Sequence, residues 1–113
     1  MPEGFDAPKL EQDELIRRYL SQLPDKLALI ESLWERVRIS PADGDSLSLL
    51  RLHAHRLAGS AAPHGLPALG ESARLLDRAL AALTENRAAP AAERVAALVP
   101  LLDELRRALR ESR

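Results

Sequence analysis

Only seven residues in this chain are Val, Ile or Thr, and that scarcity constrains its fold more than anything else. Sheets are built largely from β-branched and aromatic side chains, and aromatics make up just 3% of the sequence. Leu occurs 23 times and Ala 19 times in 113 residues, and both are strong helix formers. The chain is therefore expected to be all-α. Its length suits a single domain with one core shared by several packed helices.

Punctuation by proline and glycine divides the chain into five helical stretches. Residues 1–8 carry two prolines and a glycine and read as a flexible N-terminal tail with Phe5 as its apolar anchor; the domain proper is 9–113. From Lys9 to about Gln22, the pattern Leu10, Ile16, Tyr19, Leu20 and Leu23 is weakly helical. Pro24 then restarts the chain, since proline fits the first turn of a helix. Leu27, Ile30, Leu33, Trp34 and Val37 make one apolar stripe on a second helix. Ser40–Gly44 is the clearest loop, after which Asp45 or Ser46 can cap a helix running to about Ala62. His64 and Gly65 make a turn. Pro67 starts a fourth helix with core positions Leu66, Leu69, Ala73, Leu76, Leu80 and Leu83. A linker at Asn86–Ala89 leads to Pro90 and a fifth helix with Val95, Leu98, Leu102, Leu105 and Leu109, kinked at Pro100. Connections this short favour antiparallel bundle packing over an extended coiled coil.

Several classes of function drop out. Lys and Arg number 16 against 17 Asp and Glu, so no overall field attracts nucleic acid or an anionic membrane. With no cysteine there is no disulfide framework, thiolate nucleophile or Cys-ligated metal. No run approaches the roughly 18 apolar residues of a membrane span, and the start lacks a secretory pattern; a cytoplasmic domain is expected. Phosphate loops, dinucleotide fingerprints, HExxH and the hydrolase elbow are all missing. His53 and His55 point about 200° apart on a helix, so they cannot share a metal from one face. No metal site is expected.

His55 stands out on a helical wheel. With His55 at 0°, Leu57, Leu50, Ala61, Ala54 and Leu47 occupy an arc from about −160° to −80° that faces the core. His55 lies clear of that arc and should reach solvent. Its surface neighbours are Ser48, Arg51, Leu52, Ala58, Gly59 and Ala62, four of them very small. Gly59 costs a helix interior roughly 1 kcal/mol against alanine. A clearing of small side chains lets a bulky partner reach the ring. The plainer reading is chance in an alanine-rich chain. His53 reads as a half-buried packing residue and His64 as a turn residue.

The run Ala54-His55-Arg56-Leu57-Ala58-Gly59-Ser60-Ala61, with Gly65 ten residues after the histidine, resembles the signature A-H-x-L-(K/A)-G-S-(S/A) of the histidine phosphotransfer (HPt) family. The segment from Leu66 to Asp77 resembles that family's next helix. The resemblance implies an up-down antiparallel four-helix bundle with a short additional N-terminal helix. It implies that His55 carries a phosphoryl group between aspartates of receiver domains in a bacterial two-component phosphorelay, as a carrier and not an enzyme. Many members have a lysine three residues after the histidine where this chain has Ala58, which leaves open the cation that steadies the phosphoryl group.

Under that reading the neutral His55 imidazole attacks the acyl phosphate of a receiver aspartate on a hybrid sensor kinase, then passes the group to a response regulator. The partner receiver would bring the Mg²⁺, and the carrier itself needs no cofactor. Arg51, one turn before His55, is the first candidate for the cation and Arg56 the second. Leu52, near +60° on the wheel, is an apolar docking contact beside Ser48, Ala58 and Ala62, with Leu66 and Gly70 bordering the same patch. The chain is expected to work as a monomer, and its leading Met1 favours a stand-alone protein. The alternatives are a non-catalytic helical interaction module on a degenerate HPt fold, a self-assembling coiled coil, or a nucleic-acid binder leaning on Arg106, Arg107, Arg110 and Arg113.

Overall fold

The computed structural model describes the backbone of residues 3–85 and 91–112 and the side chains of 11–85 and 92–112. The linker Asn86–Ala89 with Pro90, the side chains of Phe5 and Leu10, and Arg113 lie outside the described residues. Four helices run in order: α1 (Glu3–Ile39), α2 (Gly44–Ala61), α3 (Pro67–Glu85) and α4 (Ala91–Glu111), with a 3₁₀ turn at Ala62–His64. Among the described residues there is no strand, and the chain is an all-α helical bundle. No described helix is long and apolar enough to cross a membrane.

The N-terminal region differs from the expectation of a tail followed by a separate short helix. Helix α1 is continuous for 37 residues, through both Pro8 and Pro24. A proline inside a helix costs about 3 kcal/mol. Around Pro24, however, Leu23 and Ile30 are buried on one face with Leu27 packed against the core, and burying each such side chain returns roughly 1.5–3 kcal/mol. That burial keeps the helix continuous through the proline. Helix α4 likewise runs unbroken past Pro100.

The core follows the apolar stripes. Tyr19, Leu23, Ile30, Leu33, Trp34 and Val37 of α1 meet Leu50, Ala54, Leu57 and Ala61 of α2, Leu69, Ala73, Leu76 and Leu80 of α3, and Leu98, Leu102, Leu105 and Leu109 of α4. Helix α2 is capped by Asp43, two residues earlier than expected. Its extended backbone lets Oδ1 accept from the Ser46 amide at 3.1 Å while Oδ2 accepts from Ser46 Oγ at 2.7 Å. The first satisfies a free helix-end amide, and together they hold the Asp43 carboxyl below the usual carboxylate range.

Two glycines shape the α2–α3 hairpin. Gly65 sits at φ 84°, ψ 18°, a left-handed conformation that glycine adopts without strain. It ends the 3₁₀ turn with its amide bonded to the Ala62 carbonyl at 3.0 Å. Gly70 lies where the helices touch: a Cβ there would sit 3.4 Å from the Ala62 nitrogen and 3.6 Å from the Ala58 oxygen. Small residues at the contact (Ala54, Ala61, Gly70 and Ala73, all buried) let the two backbones approach closely.

Helix α1 is fastened to the end of this hairpin by polar contacts. The Tyr19 hydroxyl is 2.6 Å from Ser60 Oγ, and the Tyr19 ring stacks on His64 with centroids 4.1 Å apart and planes 7° off parallel. His64 Nδ1–H donates to the Ser60 carbonyl at 2.6 Å. Burial raises the Tyr19 pKa, partly offset by the bond to Ser60.

Candidate functional site

His55 lies in the middle of α2, with its side chain 74% exposed. Its Nδ1 is 2.9 Å from Oδ2 of Asp77 on α3. Asp77 is only 16% exposed, so its carboxylate is held at the edge of the helix interface. An ionised carboxylate only accepts hydrogen bonds. Nδ1 therefore carries the proton, and Nε2 presents its lone pair outward. Arg51 Nε stands 3.5 Å from Asp77 Oδ1, an ion pair too long for a hydrogen bond, and Oδ1 has no hydrogen-bond partner among the described residues. Arg51 is 47% exposed and free to turn toward a charge arriving at His55.

An open groove of about 320 Å³ adjoins the imidazole, lined by Ser48, Arg51, Leu52, His55 and Thr84. The groove thus gathers three of the expected residues around His55. Leu52 is 39% exposed, an apolar contact beside the ring. Gly59 and Ala62 are exposed, and nothing lies within 4 Å of where a Gly59 Cβ would be, so the clearing C-terminal to His55 is open. Ala58 is half-buried and packs against the core.

Three expected positions lie elsewhere. Arg56 lines a separate groove with Lys26 and His53 on the α1 side of α2, because a one-residue step turns the side chain about 100° from His55. Leu66 packs against the core and lines a groove with Ala108 and Ser112 of the α4 end. Gly70 is buried beneath Ala58–Ala62 and offers no surface to a partner. His53 is half-buried, as its wheel position predicted.

Sequence reasoning missed Asp77 and Thr84. A signal for both exists in the hairpin register. Ala62 and Gly70, which touch, lie equally far on either side of Leu66. So do His55 and Asp77, and so do Ser48 and Thr84. In an antiparallel pair, residues equidistant from the turn are level with one another, so the turn at Gly65 predicts which α3 side chains flank His55. Thr84 Oγ1 donates to the Leu80 carbonyl at 2.8 Å, and the residue closes the α3 side of the groove.

Fold and site together define a helical bundle that presents one exposed histidine, backed by a carboxylate and bordered by small residues. The family model described as Hpt domain matches residues 14–111, and the chain belongs to that family. Its members are phosphocarriers of two-component phosphorelays that interact with receiver domains. The same comparisons returned no match among curated proteins or solved structures.

Proposed function

We propose that His55 is the phosphoacceptor, taking a phosphoryl group from a receiver-domain aspartate of a hybrid sensor kinase and passing it to a response regulator in the cytoplasm. The observation that carries this reading is the pairing of an exposed Nε2 with an Nδ1 held by Asp77. The Nε2 lone pair attacks the phosphorus of the aspartyl phosphate in line. The N–P bond forms, the P–O bond to the acyl oxygen breaks, and the carboxylate leaves on the receiver. The imidazole gains positive charge as it reacts, and Asp77 lies against the nitrogen that shares it. The reverse step, with a second receiver, returns the ring to its neutral form.

Phosphoryl transfer needs positioning and charge neutralisation more than covalent help. Arg51 is the cation best placed to supply the latter, standing where the groove meets His55, while Ala58 leaves the usual lysine position empty. The receiver brings the Mg²⁺. Leu52, Ser48 and the open ground at Gly59 and Ala62 form the docking patch, small enough for a partner that must leave. The carrier acts as a monomer.

The test is transfer from a panel of phosphorylated receiver domains in the presence of Mg²⁺. The parent protein should gain acid-labile, base-stable phosphate, and His55→Gln should gain none. Equal labelling of the two proteins would overturn the assignment of His55. Binding of receivers without any labelling of the parent would make the chain an interaction module.

A further inference from the structure

On the far side of α2 from His55, a second groove of about 280 Å³ runs between α1 and α2. Its walls include Asp25, Lys26, Leu29, His53, Arg56 and Leu57. Elsewhere, carboxylates hold many of the described arginines: Glu14 holds Arg17 and Arg18, Glu35 holds Arg38, Glu71 holds Arg74, and Glu31 holds Arg106. Lys26 and Arg56 form no ion pair among the described residues. The Lys26 ammonium lies 5.4 Å from the Tyr19 ring centroid, an attraction that leaves its charge unneutralised. His53 has no hydrogen-bond partner among the described residues, and burial, then Arg56 and Lys26, lower its pKa. Both cations are therefore close enough for the imidazole to feel them. Leu29, 43% exposed, adds an apolar wall.

We propose that this groove binds the phosphate group of a small anion, clamped by Lys26 and Arg56 with His53 as a hydrogen-bonding third partner. The charges favour phosphate over a carboxylate. A dianion matches two cations that lack ion pairs among the described residues, and the planar guanidinium fork fits phosphate oxygens in pairs. Asp25 on the rim is the single opposing charge in the groove. A bound dianion reverses the electrostatic environment of His53, from two nearby cations to a neutralised pair, so binding draws a proton onto the ring. Free inorganic phosphate and an organic phosphomonoester share this chemistry, and the Leu29 wall favours the second.

The experiment follows the ring resonances of the three histidines by NMR while inorganic phosphate or phenyl phosphate is added at constant ionic strength, in the parent and in His55→Gln. His53 should respond in both proteins, with a Kd on the order of 1 mM for inorganic phosphate. Tighter binding of phenyl phosphate assigns the site to organic phosphates, and equal binding to free phosphate. Lys26→Gln and Arg56→Gln, each checked for unchanged helicity, should weaken binding at least about fivefold. A His53 signal that neither anion moves overturns the proposal. So does a response that persists unchanged in the Lys26→Gln, Arg56→Gln double variant, or one that chloride reproduces.

Discussion

His55 Nδ1 and the Asp77 carboxylate stand 2.9 Å apart across the α2–α3 interface, although 22 residues separate them along the chain. Neither helix positions the imidazole alone. Helix α2 sets its height above the bundle, and α3 sets which of its nitrogens faces outward. The pair resembles, in role, the orienting carboxylate behind a catalytic histidine, and under the proposed function it serves a carrier that must both accept and release.

Replacing that carboxylate should separate the two contributions. Asp77→Asn keeps the shape but removes the charge and puts an amide, which can donate as well as accept, where an accept-only carboxylate fixes the Nδ1–H tautomer. We expect phosphoryl uptake from a labelled receiver to slow roughly tenfold or more, with little change in melting temperature. Nitrogen NMR of the His55 ring should show both tautomers in place of one. A variant with the parent's rate would leave Asp77 with a packing role only.

Gly59 offers a test of the clearing beside His55. A Cβ at this position meets nothing within 4 Å, so Gly59→Ala should stabilise the domain by about 0.5–1 kcal/mol in denaturant unfolding. The added methyl stands one turn from His55, on the approach of a docking receiver, and should slow transfer a fewfold. Gain of stability without loss of rate would show that the glycine does not serve access.

Stability should depend on pH through His53. Its folded-state pKa is lowered, first by burial and then by Arg56 and Lys26, so the unfolded chain takes up the proton at a higher pH than the folded one. The resulting stabilisation is fully present above the ordinary imidazole value and is lost as pH falls through the lowered one. Thermal melts across this interval should show the parent weakening on acidification. His53→Gln should give a flatter profile, and an identical slope would remove His53 from the account.

Leu57 tests the core side of the same helix. It is 2% exposed, two residues from His55 and on the opposite face. Leu57→Asp places an unpaired charge among Leu and Ala side chains, at a cost of about 3–5 kcal/mol, enough to unfold a marginal domain. Circular dichroism should show lost helicity at room temperature. An unchanged melting curve would mean that the apolar arc faces elsewhere.

What the residues disclosed beforehand follows from what pattern can encode. The stripe Leu69, Ala73, Leu76 and Leu80 was legible because burial repeats with the helix period, and its members are fully buried. The exposure of His55 followed from the same wheel. Pro24 misled because a proline's local cost is visible in the sequence, while the burial of Leu23 and Ile30 that outweighs it comes from the other helices. Asp77 was hidden for a related reason: its meaning depends on register across the hairpin, which no single-helix pattern carries. Arg56 and Gly70 show the limit of sequence proximity, since one faces α1 and the other is covered by α2.

Helix α1 is about twice as long as α2 or α3, and its first buried side chain among those described is Tyr19. Residues 11–18 bury no side chain fully, and the first firm hold of α1 on the hairpin is the clasp of Tyr19 with Ser60 and His64. The imidazole is geared to α3 through the His55–Asp77 contact, while α1 grips the hairpin at its other end, through Ser60 and His64.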